Sequence, residues 1–302
     1  MLQVLLSGLA SGAVYGLVGM GFAIAFYVTR VINFAEGQLL MVAVMVAAAI
    51  ARTGVWVGFA LAGGVLAAVL AGVATYLVAV RPVLAFSRFS FAWLVSTLGV
   101  ALILQNVAAI IWGPTSRSFP TLLNGTGVHI GSATLTLQEL VTIGVAIGMA
   151  VGFELVRKRT LFGKAGMAVA YDPEMASALG ANTGMMAVIA FAGAGLFAGI
   201  AGILIGPITY SNPYLGNTYG IAGFVALMIG GTERPVAAMV GGLLLGILEE
   251  ASKSLINTQA SDWFPFVVVV VILLVTPQGL FSVGPQLRGL GRRWRRPRPA
   301  VT

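Results

Sequence analysis

The sequence predicts an all-α polytopic membrane protein of about eight or nine transmembrane helices, built as an inverted repeat with broken helices. Composition is the first reason: of 302 residues 59% are hydrophobic, 9% are charged and 40 are glycine, and mean hydropathy is +0.99. Soluble domains carry about 25% charged residues, and glycine at this density is expected where membrane helices approach closely. Second, apolar runs long enough to span a bilayer recur along the chain, which reads as one bundle and not as a string of soluble domains. Third, the polar stretches Ile32 to Gln38 and Ser211 to Asn217 each follow a long glycine-rich run and precede a short apolar one.

The N-terminus has no basic residue before its apolar run, so it lacks the charged start of a cleaved signal peptide and is taken as mature protein. Val4 to Val28 is the first span, with Gly8, Gly12 and Gly16 at four-residue spacing as a close-packing face. A short apolar run from Leu39 to Ala51 follows the first polar stretch. Val55 to Val80 forms the third span, a basic loop holds Arg81 and Arg88, and Phe91 to Trp112 is the fourth. The polar segment to Leu137 partly alternates from Val128 and predicts a small hairpin. Glu139 to Val156 is the fifth span. Met185 to Gly206 is about 33 Å of helix and carries Gly195, Gly199, Gly202 and Gly206, which places it inside the bundle. Pro207 to Tyr219 is expected to be irregular, with a short apolar segment at Gly220 to Gly231 and further runs at Pro235 to Ile256 and Trp263 to Val275.

A polar interruption, Arg157 to Lys164, separates the halves and leads into Tyr171 to Asn182. There Asp172 can cap free N-H groups, Pro173 suits the first helical position, Glu174 favours the positive helix end, and Gly180 stops the helix. Met175 and Leu179 put an apolar stripe on a helix of about two turns, too short to stand alone in water. It is either an amphipathic connector on the bilayer or a helix leaning on its own bundle or on a partner's groove.

Charge gives the orientation. With the interruption and the C-terminal tail cytoplasmic, the inside holds Arg30, Arg81, Arg88, Arg157, Lys158, Arg159, Lys164, Arg234 and six tail arginines, fourteen in all, against Arg52, Arg117 and Lys253 outside. That bias implies about nine crossings with the N-terminus outside, or eight if one short run is re-entrant. The net charge of +8 therefore reports membrane orientation and not a nucleic-acid partner. The tail reads as a lipid-facing anchor, at about 1 kcal/mol per arginine near anionic headgroups.

Under this topology the two polar stretches occupy corresponding places in halves of opposite orientation, although their residue identities do not repeat. This is the pattern of broken helices facing a pathway, and plain loops remain the alternative. Glu36 is the outstanding acid: at the bilayer centre it would cost about 2.5 to 3.5 kcal/mol, so it should face a polar cavity or the inner surface, with Arg30 close enough in sequence to pair with it. Glu249 and Lys253 form a four-residue helix pair, Glu154 sits beside Arg157 and Lys158, Glu139 and Asp262 lie near helix starts, and His129 is expected to be solvated.

Enzyme chemistry finds no support. There is no cysteine and only one histidine, so disulfides, thiolate nucleophiles and sulfur or imidazole metal clusters are excluded, and no metal site is expected. Gly163-Lys164 is followed by Ala165, and Lys158 stands where a nucleotide-binding loop has its first glycine. No serine, histidine and acid share a depth for hydrolysis.

Ile32-Asn33-Phe34-Ala35-Glu36-Gly37, Arg81-Pro82-Val83, Leu104-Gln105-Asn106, Gly163-Lys164-Ala165, Met175 to Asn182, Asn212-Pro213-Tyr214 and Gly241 to Gly246 together resemble the LivH-type permeases of branched-chain amino acid ABC importers. The match keeps order and spacing from the first run to Gly284. It implies a transmembrane permease domain over 1–284, with a cytoplasmic coupling loop at 157–183 and a basic cytoplasmic tail at 285–302. It also implies a bacterial inner-membrane subunit paired with a LivM-type permease, two LivG/LivF-type ATPases that bind ATP and Mg, and an extracytoplasmic substrate-binding protein. The chain itself would bind no cofactor. Asp172, Glu174, Met175, Leu179 and Gly180 match the segment that docks in an ATPase groove, with Met175 and Leu179 as anchors and Gly180 as the turn. Asn33, Glu36, Gln38, Asn212, Tyr214 and Asn217 are the candidate pathway residues. Two departures bear on the substrate: Glu36 stands where the family often has His or Gln, and Glu233 and Arg234 replace a glycine and a serine. Relatives in the wider family carry urea, short amides or other amino acids. An ion-coupled secondary transporter using Glu36, and a membrane scaffold, are the readings from other classes.

Overall fold

A computed structural model of the chain describes residues 2–86, 91–119, 127–130, 133–232, 234–255 and 260–275. The basic tail, Arg88 and Glu233 lie outside the described residues. The apolar runs fold as helices in the expected order: α1 (Leu2–Thr29), α2 (Glu36–Ala51), α3 (Val57–Thr75), α4 (Arg81–Phe86), α5 (Ala92–Trp112), α6 (Leu137–Arg159), α7 (Leu161–Tyr171), α8 (Pro173–Ala178), α9 (Thr183–Thr209), α10 (Leu215–Gly230), α11 (Pro235–Leu255) and α12 (Ala260–Val275). Strands β1 (Val128–Ile130) and β2 (Ala133–Leu135) pair antiparallel as the expected hairpin. Among the described residues six helices are long and apolar enough to cross a membrane: α1, α3 extended to Ala85, α5, α6, α9 and α11. At 16 residues each, α2 and α10 reach about 24 Å, short of the roughly 30 Å hydrocarbon core.

The halves repeat with exchanged partners. A long helix, a short one and a third follow one another as α1, α2, α3 and again as α9, α10, α11; α1 packs on α11 and α10, while α9 packs on α3 and α2. Both α1 and α9 are buried through most of their length and form the centre of the bundle. The α1–α11 seam is a backbone contact. A Cβ on Gly12 would lie 2.7 Å from the Gly242 oxygen and one on Gly8 would lie 2.8 Å from the Ile247 Cα, so both positions must be glycine for the helices to meet. Apolar burial cannot drive helices together in lipid, and this tight packing takes its place.

Three expectations are corrected. Arg81 does not sit in a loop: the third span continues through a π-helical turn, Tyr76–Val80, into α4. Pro82 lacks an N-H for the regular ladder, and a local π-turn is one adjustment that accommodates it inside a membrane helix. The interruption Arg157 to Lys164 is not irregular either. Arg157, Lys158 and Arg159 form the last turn of α6, where cations complement the helix dipole, and the Thr160 hydroxyl accepts from the Gly163 N-H at 3.0 Å to start α7. Finally, α9 runs through Pro207 to Thr209 and α10 starts at Leu215, so the irregular stretch is five residues and not thirteen. A membrane helix tolerates an internal proline because neighbouring helices and hydroxyls satisfy the freed backbone.

The seam yields a direct test. Overpacking costs about 1 to 3 kcal/mol, and each kcal/mol shifts the midpoint of a chain this size by about 2 to 4 °C. Gly12→Ala should therefore lower the thermal midpoint of the detergent-solubilised protein by several degrees. Gly99→Ala, where a Cβ meets nothing within 4 Å, should leave it unchanged or raise it. Equal midpoints for the two variants would remove the seam as a determinant of the fold.

Candidate functional site

The two central helices, α1 and α9, end in the same way. The Thr29 hydroxyl donates to the Ala25 carbonyl at 2.7 Å and the Thr209 hydroxyl to the Ile205 carbonyl at 3.2 Å. The next residue in each case, Arg30 (φ 58°) or Tyr210 (φ 62°, ψ 165°), takes a positive φ that turns the chain out of its helix. A few residues on, asparagine makes a turn with its own backbone: Asn33 Oδ1 accepts from the Ala35 N-H at 3.2 Å and Asn212 Oδ1 from the Tyr214 N-H at 2.9 Å. The short helices α2 and α10 begin there.

With the turns aligned, Asn33, Gly37 and Gln38 correspond to Asn212, Gly216 and Asn217: the asparagine and the glycine repeat and one amide stands opposite another, while the other identities differ, as the sequence reading has it. Side chains hid the register, since Phe34, Ala35 and Glu36 face Pro213, Tyr214 and Leu215 in the comparison. The first turns of the two short helices meet. A Cβ on Gly37 would collide with the Gly216 oxygen and lie 2.6 Å from the Gly220 Cα, and one on Gly216 would lie 2.8 Å from the Gly37 oxygen. Beside this contact Gln38 Nε2 donates to Asn217 Oδ1 at 2.8 Å and to Gln105 Oε1 of α5 at 3.4 Å.

Glu36 is fully buried against Gly21 of α1, eight residues before that helix ends. Asn33 Nδ2 donates to Glu36 Oε2 at 3.2 Å, while Glu36 Oε1 and Gln38 Oε1 have no hydrogen-bond partner among the described residues. The expected pair with Arg30 is not formed. The left-handed turn sends Arg30 the other way, where it donates to the Ala170 carbonyl at 2.9 Å and lies 5.9 Å from the Phe26 ring centroid. It thereby satisfies one of the last carbonyls of α7. The other acids follow expectation: Glu154 pairs with Arg157 and Lys158, Glu249 with Lys253 at 3.0 Å, and Glu139 completes a capping box with Thr136.

The pathway candidates thus divide. Asn33, Glu36 and Gln38 are buried inside the bundle, Asn212 is half-buried in its turn, and Tyr214 and Asn217 are exposed. With Thr218 and Ile221 the last two form a stripe along α10, and Gln38 joins this stripe to the buried group. Gln105 was missed as a site residue, although an amide inside the apolar run of α5 is itself a signal.

The second cluster gathers around α8. Asp172 accepts from the N-H groups of Glu174 and Met175 at 3.0 and 2.9 Å, Pro173 opens the helix, and Gly180 (φ 91°) ends it, all as expected. Within the helix Ala176 is buried at 3% exposure, packed with Val169 and Met186, while Met175 and Leu179 are 64% and 83% exposed. The helix leans on its own bundle through one methyl and presents its larger apolar side chains outward.

Removing the Asn33 amide would take away a turn bond and the recorded donor to a buried carboxyl, whereas Asn212 makes the turn bond alone. Asn33→Ala is accordingly expected to destabilise the protein by about 1 to 3 kcal/mol more than Asn212→Ala. Thermal midpoints of the two variants check this, and equal losses would assign the Asn33–Glu36 bond no value.

The family model for "branched-chain amino acid transport system / permease component" matches residues 4–276. The chain is 32% identical over 296 residues to the high-affinity branched-chain amino acid transport system permease protein LivH of Escherichia coli strain K12, covering 93% of this chain and 95% of that protein. It is 30% identical, with the same coverage, to LivH of Salmonella typhimurium. Among solved structures, PsaBC from Streptococcus pneumoniae in complex with Fab matches with a TM-score of 0.50 at 12% identity, covering 97% of this chain and 94% of that one. At that identity the likeness concerns the fold alone.

Proposed function

Since the chain belongs to the family of permease components of branched-chain amino acid transport systems, we propose that it is the transmembrane permease subunit of an ATP-driven importer for branched-chain, hydrophobic amino acids. It resides in the bacterial inner membrane with its basic end in the cytoplasm and pairs with a homologous LivM-type permease. Two LivG/LivF-type ATPases bind ATP and Mg beneath it, and an extracytoplasmic binding protein delivers the substrate. The chain binds no cofactor, catalyses no reaction and moves its substrate by alternating access.

The observation that carries this reading is α8. A capped helix of six residues, seated on the bundle by Ala176 with Met175 and Leu179 turned outward, is suited to a groove in another protein. Asp172, Glu174 and Gly180 fix its start, polarity and end, and Met175 and Leu179 are the anchors. Substrate passes the junction of the two short helices: Tyr214 and Asn217 line the path, Asn212 shapes the turn, and Asn33, Glu36 and Gln38 support it from within. Small apolar side chains, with an ammonium and a carboxylate to satisfy, suit a stripe that mixes Ile221 and an aromatic ring with amides and a hydroxyl. Urea or short amides as the cargo would leave the same architecture in place.

Leu179→Asp is expected to leave membrane insertion and assembly intact while ATP hydrolysis in the reconstituted complex loses its link to uptake, with transport falling about tenfold or more. Normal coupling in that variant sinks the docking assignment. The burial of Glu36 favours a second reading, an ion-coupled transporter acting without ATPases. Uptake by the purified chain in liposomes, driven by a proton or sodium gradient, would replace the first reading with this one.

A further inference from the structure

A cleft of about 380 Å³ opens on the side of the bundle between α1, α6, α7 and α9. Its walls are apolar, from Ile24, Met149, Phe153, Ile189 and Phe197 among others, apart from Tyr27 and Arg157 at one end. Its glycines differ from those of the α1–α11 seam. A Cβ on Gly148, Gly152 or Gly166 meets nothing within 4 Å, so these positions hold no neighbouring helix of the chain and leave space. From Gly148 to Arg157 along α6 the cleft runs about 13 Å.

We propose that this cleft is a binding site for one anionic phospholipid, with an acyl chain along the α6 glycines and the headgroup phosphate at Arg157. Between Gly148 and Val156 the residues that line the cleft are apolar throughout, so the occupant along this length is hydrocarbon. Charge decides the headgroup. The polar end lies at the α6–α7 junction, where Arg157, Lys158, Arg159 and Lys164 stand against one acid, Glu154. Glu154 grips Arg157 through Nε at 2.8 Å and Nη2 at 2.6 Å, which fixes the guanidinium plane and turns Nη1 toward Met167 Sδ, 3.5 Å away, on the cleft wall. Lys158, Arg159 and Lys164 are exposed around that end. A long apolar slot closed by a fixed cation and ringed by others matches a lipid that is hydrocarbon along its length and anionic at its head. The site is independent of the substrate and of the ATPase reading.

The test uses the full chain, purified in mild detergent from bacterial membranes with whatever subunits accompany it. Bound phospholipid is counted by native mass spectrometry and by extraction. The wild-type protein should retain phosphatidylglycerol or cardiolipin in preference to phosphatidylethanolamine. Gly148→Leu with Gly152→Leu fills the cleft, and displacing two methylenes of the chain should already cut retention by about tenfold. Gly99→Leu, an equally open position on α5 outside the cleft, should leave retention unchanged. Should the double variant fold poorly, Arg159→Gln with Lys164→Gln, both exposed, removes two of the surrounding cations and should lower the preference for anionic over zwitterionic lipid by about tenfold or more, and an unchanged preference overturns the proposal. Equal lipid retention in the cleft-filled and wild-type proteins overturns the proposal. So does a wild-type preparation without anionic preference, or a cleft-filled variant that sheds a companion protein chain while keeping its lipid.

Discussion

The backbone contact between Gly37 and Gly216 holds the architecture in register. Two short helices begin inside the bundle, and each brings its first turn against the other so closely that no side chain fits between them. Everything that surrounds this contact is arranged to permit it. α1 and α9 stop on a threonine and a residue of positive φ, an asparagine turns the chain, and glycine follows four residues after that asparagine in both halves. Irregular backbone is tolerated at membrane depth where protein surrounds it, and here α1 and α9 do so.

Polar groups inside the bundle follow from the same contact. Starting a helix leaves its first N-H groups without intrahelical partners, and the asparagine turns answer part of that need on each side. Gln38 then ties the buried α2 junction to the exposed α10 stripe through Asn217, so the two halves share a hydrogen bond across their common contact. The permease family to which the chain belongs is thereby represented by a bundle whose polar centre is small, amide-rich and supported by close-packed glycines.

Local rules were legible in the sequence and long-range ones were not. Asp172, Pro173 and Gly180 defined α8 because a cap, a first-turn proline and a left-handed stop act within a few residues. The hairpin and the six long helices were legible for similar reasons, from alternation and run length. Gln38 and Asn217 are 179 residues apart, and only the folded repeat brings them together. Arg30 was matched to Glu36 by proximity in sequence, whereas its backbone conformation sends it to Ala170. Three consecutive basic residues looked like a loop but are the charged end of α6, and Pro207 looked like a helix breaker but lies inside α9. In each case the sequence rule carried an aqueous expectation into a setting where tertiary packing decides.

Arg30 stands between the two clusters. It is the residue at which α1 breaks, and its guanidinium holds the carbonyl of Ala170, two residues before the Asp172 cap of α8. On its other side only Val31 and Ile32 separate it from Asn33 and the buried carboxyl of Glu36. The exposed helix at one end of the bundle and the polar junction within it are therefore joined by a short linkage through Arg30, beside the Ala176–Met186 contact that seats α8 on α9. A displacement of α8 that dragged the end of α7 would pull on this joint, and through it on the break that leads to Asn33 and Glu36.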